Sequence, residues 1–124
     1  MNLIVLKKVN LTNIKIGILG ITFKEDCPDL RNTKVIDIYN KFVDIGIKPD
    51  CFDPIADPKD AKKYYGIRIR KKINFENYDV LIFAVNHKEY VNLDFKQLKV
   101  KLKKNCIVYD VKSFLPGKLV TERL

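Results

Sequence analysis

Apolar and polar positions along the 124-residue chain alternate between short β-branched runs and longer runs of helical period. Ile14, Ile16, Ile18 and Leu19 predict a first strand over 15–19. Gly20 then opens a polar loop crowded with Lys24, Glu25, Asp26, Asp29 and Arg31. Val35, Ile36, Ile38, Tyr39, Phe42, Val43 and Ile45 fall at helical spacings and predict a helix over about 33–45. Asn32 or Thr33 would cap it, and Gly46 would end it. A second strand over about 47–52 stops at Asp53-Pro54, and Asp57 caps a short helix over about 58–65 with Pro58 in its first turn.

Gly66 ends that helix, and Ile67, Ile69 and Ile73 suggest a third strand with Arg68 and Arg70 on its other face. Residues 75–78 read as a helical turn or loop. The run VLIFAV at 80–85 is apolar at every position, as a parallel strand buried on both faces should be. Residues 86–90 read as a loop, and 95–102 as a helix with Phe95, Leu98 and Leu102 on one face. Residues 106–111 read as the last strand, 112–117 as the loop beyond it, and 121–124 as a tail. Residues 1–12 read as a lead-in without a clear period. Strands and helices alternate with short connections, which argues an α/β domain: a mostly parallel sheet of about five strands with helices on both faces. Ligands of such sheets sit beyond the carboxyl ends of the strands, so the loop over 20–33 is where function is expected first.

Composition narrows the picture. With 47% hydrophobic and 10% aromatic residues, the chain can bury one core. No run approaches the ~20 apolar residues of a membrane span. Cys27, Cys51 and Cys106 lack metal-like spacing, so no metal site is read, and their scatter fits a reduced, cytoplasmic chain. The net charge of +9 invites nucleic acid, an anionic membrane surface or a phosphorylated small molecule. Lys62, Lys63, Arg68, Arg70, Lys71 and Lys72 form one basic cluster, and Lys99, Lys101, Lys103 and Lys104 another. Neither has the aromatic interleaving of a single-strand binder, and solvated faces account for both. A basic, non-catalytic nucleic-acid-binding or regulatory α/β module stands as the alternative function.

Gly17-Ile18-Leu19-Gly20 lacks the G-x-G-x-x-G pattern, so a dinucleotide pyrophosphate at this turn is not supported. Asp53 then reads as a turn or cap residue, and His87 as a helix-start or loop residue. Phe23 is either a ligand contact or a core-edge aromatic, and Lys24 either a phosphate or sugar contact or a solvated lysine. Asp29 and Arg31 either pair with each other or meet a cofactor.

The order of four blocks is more specific: GITFKEDCPDLRNTK, then FDP at 52–54, YDVLIFAVNHKEY at 78–90 and VYDVK at 108–112. From residue 14 to 124 this resembles the C-terminal, UDP-binding domain of the UDP-glucose/GDP-mannose dehydrogenase family. Cys27-Pro28 and Val111-Lys112 look most like the branch acting on UDP-N-acetyl-hexosamines. The resemblance implies a Rossmann-like three-layer sandwich over 14–124, with 1–13 as a connector from a central helical region. It implies a UDP-sugar in a cleft shared with an NAD-binding domain, with the nucleophilic cysteine and catalytic lysine in other parts of the enzyme. No catalytic residue is therefore expected in this chain, Cys27 included, and no turnover by the chain alone. Phe23 and Lys24 match the pair contacting the UDP-sugar, and Arg31 matches the arginine that reaches NAD. Lys112 stands where many relatives carry a substrate-contacting arginine, giving a point charge without the planar fork. By itself the chain is expected to be a monomer or weak dimer.

Overall fold

Ile16–Leu19 forms β1, and every one of its residues is buried. The computed structural model describes residues 14–31, 33–117, 120 and 122–123. After β1 come α1 (Val35–Asp44), β2 (Asp50–Phe52), α2 (Pro58–Tyr65) and β3 (Ile69–Arg70). A 3-10 turn at Phe75–Asn77 leads to β4 (Val80–Phe83), α3 (Lys88–Val91), α4 (Phe95–Lys101), β5 (Ile107–Asp110) and β6 (Glu122–Arg123). The strands form one sheet in the order β3-β2-β1-β4-β5-β6, and each neighbouring pair is parallel. The chain winds outward from β1 to one edge, then crosses back to β4 on β1's other side. That reversal between β1 and β4 is the switch point where such sheets open a crevice.

Two apolar layers hold the sheet between helices. On one face Ile16, Ile18, Val80 and Ile82 pack with Phe42 of α1 and Ala61 of α2. On the other, Leu19, Leu81, Phe83 and Val108 pack with Tyr90 of α3 and Leu98 of α4. Each buried Val, Leu, Ile or Phe side chain contributes roughly 1.5–3 kcal/mol by leaving water. The VLIF of β4 is buried throughout, as its unbroken apolar run requires.

Local chemistry sets the helix ends. The Asp57 carboxylate accepts the Lys59 N–H at 2.8 Å, Pro58 opens α2, and Gly66 closes it at φ 67°. At α1 the residue before the helix, Lys34, makes no side-chain cap. Thr33, one position further out, accepts the Val35 N–H at 3.3 Å, while Asn32 lies outside the described residues.

Three details differ from the sequence expectation. The sheet has six strands among the described residues, because Glu122–Arg123 pairs with β5 where a tail was expected. Two residues without apolar alternation carry no strand signal. Residues 88–91 form a single helical turn instead of a loop, too short for periodicity to reveal. The third strand is only Ile69–Arg70 and stops well short of Ile73. The lead-in and connector over 1–13 lie outside the described residues.

Candidate functional site

The loop after β1 is built around a buried polar cluster. Gly20 turns the chain at φ 92°, and a Cβ there would lie 2.6 Å from the Val85 Cβ. Only glycine permits this close approach between the ends of β1 and β4. The Gly20 N–H donates to the Phe52 carbonyl at 2.7 Å, and the Ile21 N–H donates to Asp53 Oδ2 at 2.8 Å. Asp53 Oδ1 accepts the N–H groups of Ile55 and Ala56 at 2.9 and 2.8 Å. Asp53 therefore does make the turn expected of it, and it also ties that turn to the first loop.

His87 completes the cluster. Its Nε2 lies 2.9 Å from Asp53 Oδ2 and 3.1 Å from Thr22 Oγ1. The Asp26 N–H donates to Nδ1 at 2.9 Å, so that nitrogen carries no proton. The hydrogen-bond pattern assigns the neutral Nε2–H tautomer, donating to the carboxylate. The Thr22 hydroxyl spends its own proton on the Lys24 carbonyl at 2.9 Å. Burial alone would raise the Asp53 carboxyl, but the bonds from His87, Ile21, Ile55 and Ala56 outweigh it and hold the group below the usual carboxylate range. His87 does begin a helix, as its position suggested, but its side chain does not cap that helix.

Next to this cluster lies a cavity of about 600 Å³. Phe23, Val85, Tyr109 and Lys112 line it together with Lys34, the residue before α1, and Lys41 of α1. The volume falls within the roughly 300–1,000 Å³ of small-molecule sites. Its walls come from the loop after β1, the ends of β4 and β5, and the first turns of α1, so it spans the switch point. Among the described residues the lining has an apolar wall, three lysines and no carboxylate, which suits a ligand that is part ring and part anion. The loop bearing Lys112 is held by Asp110, whose Oδ2 accepts the Leu115 N–H at 2.8 Å.

The structure thus brings Phe23 and Lys112 to one cavity. Phe23 is 54% exposed, which its reading as a core-edge aromatic would not require. Lys24 is exposed beside Phe23 but does not line the cavity. Arg31 faces a second, smaller cavity of about 280 Å³ with Cys27, Asp29 and Tyr64. Its guanidinium grips Asp29 through Nε at 3.1 Å and a terminal nitrogen at 3.3 Å, so the ion pair is real. That contact lowers the Asp29 carboxyl and raises the Arg31 guanidinium. Sequence reasoning missed Thr22, Asp26, Lys34 and Lys41, and missed the joining of Asp53 to His87. The usable signal was topological: a polar residue, Thr22, Asp53 or His87, in the loop that follows each of three adjacent parallel strands.

The sheet order and the strand-end cavity define a Rossmann-like α/β domain with a cavity on its carboxyl edge. Residues 17–117 match the UDP-glucose/GDP-mannose dehydrogenase family, UDP binding domain, and the chain belongs to this family. It is 34% identical over 118 residues to UDP-N-acetyl-D-glucosamine 6-dehydrogenase of Salmonella typhi, covering 95% of this chain and 28% of that protein. It is 41% identical over 101 residues to Protein CapL of Staphylococcus aureus, covering 81% of this chain and 23% of that protein. The NDP-N-acetyl-D-galactosaminuronic acid dehydrogenase of Methanosarcina mazei Go1 shares the fold, with a TM-score of 0.76 at 20% identity over 95% of this chain and 26% of its own. The chain spans about a quarter of the length of these relatives. Family membership favours the UDP-binding reading over a nucleic-acid or regulatory module. No helix among the described residues is long and apolar enough to cross a membrane.

Proposed function

We propose that this domain binds the uridine diphosphate moiety of a UDP-sugar for an NAD-dependent 6-dehydrogenase. The enzyme would oxidise the sugar's C6 hydroxymethyl group to a carboxylate, a four-electron change, yielding a UDP-uronic acid for bacterial surface polysaccharide such as capsule or O-antigen. The names of the relatives favour a UDP-N-acetyl-hexosamine as substrate. The observation that carries the proposal is the meeting of Phe23 and Lys112, from the loops after β1 and β5, in one lysine-rimmed cavity. Its apolar wall suits a pyrimidine ring, and its ammonium groups suit a diphosphate.

The residues present do not fit a resident NAD. The N–H groups of Gly20 and Ile21, which would face a pyrophosphate at the β1 turn, already bond Phe52 and Asp53. α1 begins only at Val35, too far on to lend its N-terminus to that turn. NAD therefore belongs to a separate nucleotide domain, with the exposed Arg31 reaching it from this side. A central helical region would complete the enzyme, which would work in the cytoplasm, and the domain alone would be a monomer or weak dimer without turnover. Calorimetry of the chain with UDP, with uridine and with a short oligonucleotide tests this. UDP binding with weaker uridine binding supports the proposal. Tighter oligonucleotide binding that falls steeply with salt overturns it.

A further inference from the structure

We infer that His87 is a positioning residue, its Nδ1 holding the loop that carries Phe23 and Lys24 by accepting the Asp26 N–H. The inference rests on the UDP-binding reading and adds to it the part that shapes the site. Nδ1 accepts the Asp26 N–H just past residues 23–25, while the Nε2–H is directed at Asp53, with Thr22 Oγ1 beside it at 3.1 Å. The Asp26 carboxylate returns the contact, accepting the Lys88 N–H at 2.8 Å through Oδ1. Loop and helix start thus clasp each other, each through one backbone N–H. Asp26 sits at φ 55°, a conformation L side chains seldom take without support from their surroundings. The Phe23 N–H closes the loop's base on the Asp29 carbonyl at 2.8 Å.

This arrangement matters because Phe23 and Lys24 are exposed and have no core packing to fix them. A ligand that had to order them would bind more weakly by that cost, and a loop pinned beforehand avoids it. His87 is shielded from water and bonded at both nitrogens, so it cannot itself touch a ligand in the cavity. Its influence has to pass through the backbone of the loop. Asp53 orients the ring in turn, by accepting the Nε2 proton.

Two isosteric half-replacements separate positioning from mere packing. In His87→Gln the side-chain amide nitrogen reaches the place of Nε2 and still donates to Asp53, but nothing accepts the Asp26 N–H. In His87→Asn the amide oxygen takes the place of Nδ1 and accepts that N–H, while the donor to Asp53 is lost. His87→Gln should weaken UDP binding about tenfold, and His87→Asn by no more than about threefold, whichever is less stable to urea. Equal losses, or losses that follow stability, would overturn the inference. A second measurement needs no variant: in the unaltered chain without ligand, the Asp26 amide should already exchange slowly, although it lies in an exposed loop. Fast exchange at Asp26 in the ligand-free chain would also overturn it. If the unaltered chain binds no UDP, the functional reading itself fails and this inference falls with it.

Discussion

His87 Nε2 and Asp53 Oδ2 lie 2.9 Å apart, with both side chains fully shielded from water. The two residues are 34 apart in sequence and follow different strands, β4 and β2. They meet because β1 runs between those strands, so its end lies beneath both loops. Ile21 and Thr22, which follow the Gly20 turn at that end, contact the same pair. One buried carboxylate and one neutral imidazole therefore fix three strand-end loops at once. The loop offering Phe23 to the cavity is one of them.

The first prediction concerns acid stability. The Asp53 carboxyl is held below its usual value in the folded chain, so its ionised form is favoured by folding. That stabilisation is complete above about pH 4, the unfolded value, and is lost as pH falls from there through the lower folded value. Asp53→Asn should remove this acid limb. It should also cost stability at neutral pH, roughly 1–3 kcal/mol for each buried donor left unmatched. An amide can still accept from Ile55 and Ala56 through its oxygen, but its NH₂ would then face the Ile21 N–H and His87 Nε2–H. Urea midpoints of both proteins between pH 7 and pH 3 check this. An unchanged acid limb in the variant would assign the dependence to another carboxylate.

Much of the scaffold was legible in the sequence because it is written in short-range signals. Asp57, Pro58 and Gly66 bound α2 residue for residue, since cap, first turn and left-handed exit each have their own chemistry. The unbroken apolar run at 80–85 marked a central strand for the same kind of reason. Phe23 and Lys112 were found through resemblance and the strand-end rule, and both line the cavity. Lys34 and Lys41 were not, because a lysine at or on a helix looks the same in sequence whether it faces water or a cavity. The Asp53–His87 contact was hidden for a different reason. Each residue had a sufficient local explanation, and only the sheet order, with β1 between β2 and β4, brings them together.

A second prediction orders the thiols. Burial, then the neighbouring Asp50, pushes the Cys51 thiol up to about 12. Burial, then Asp79, with Lys103 opposing, pushes Cys106 up to about 11. The thiolate is the reacting form, so at pH 8 both should react slowly with a disulfide reagent. Half-buried Cys27, in the loop beside Arg31, is left to react first. Peptide mapping after brief labelling should find the label at Cys27. Labelling of Cys106 at the same rate would contradict the packing around β5.

A third prediction concerns the anion grip. A charged hydrogen bond contributes about 1.5–3 kcal/mol, or roughly tenfold to a hundredfold in affinity. Lys112 lines the cavity, so Lys112→Ala should weaken UDP binding by about tenfold and leave uridine binding nearly unchanged. Lys24→Ala should do the same, its flexible side chain folding over the bound diphosphate. Phe23→Ala should weaken UDP and uridine alike, because an aromatic wall serves the ring that both contain. Calorimetry of the three variants with both ligands separates the roles, and equal loss of uridine binding in Lys112→Ala would mean that lysine does not hold phosphate.

The last prediction tests the turn on which the site rests. An alanine at 20 meets two separate obstacles. At φ 92° an L residue is strained, at a cost of roughly 1–2 kcal/mol. Its Cβ would also lie 2.6 Å from the Val85 Cβ and 2.9 Å from the Val85 backbone nitrogen. Backbone cannot swing aside as a long side chain can, so β1 and β4 would have to separate at their ends, adding about 1–3 kcal/mol. Gly20→Ala should therefore destabilise the domain by about 2–5 kcal/mol, the sum of those two costs. Val85→Gly removes the nearer atom but neither the strain nor the backbone contact. The double variant should thus recover part of the Gly20→Ala loss relative to Val85→Gly alone, and never all of it. Denaturant unfolding of the two single variants and the double variant measures this coupling. Additive losses would show that the two strand ends are not in the close contact on which the position of the loop depends.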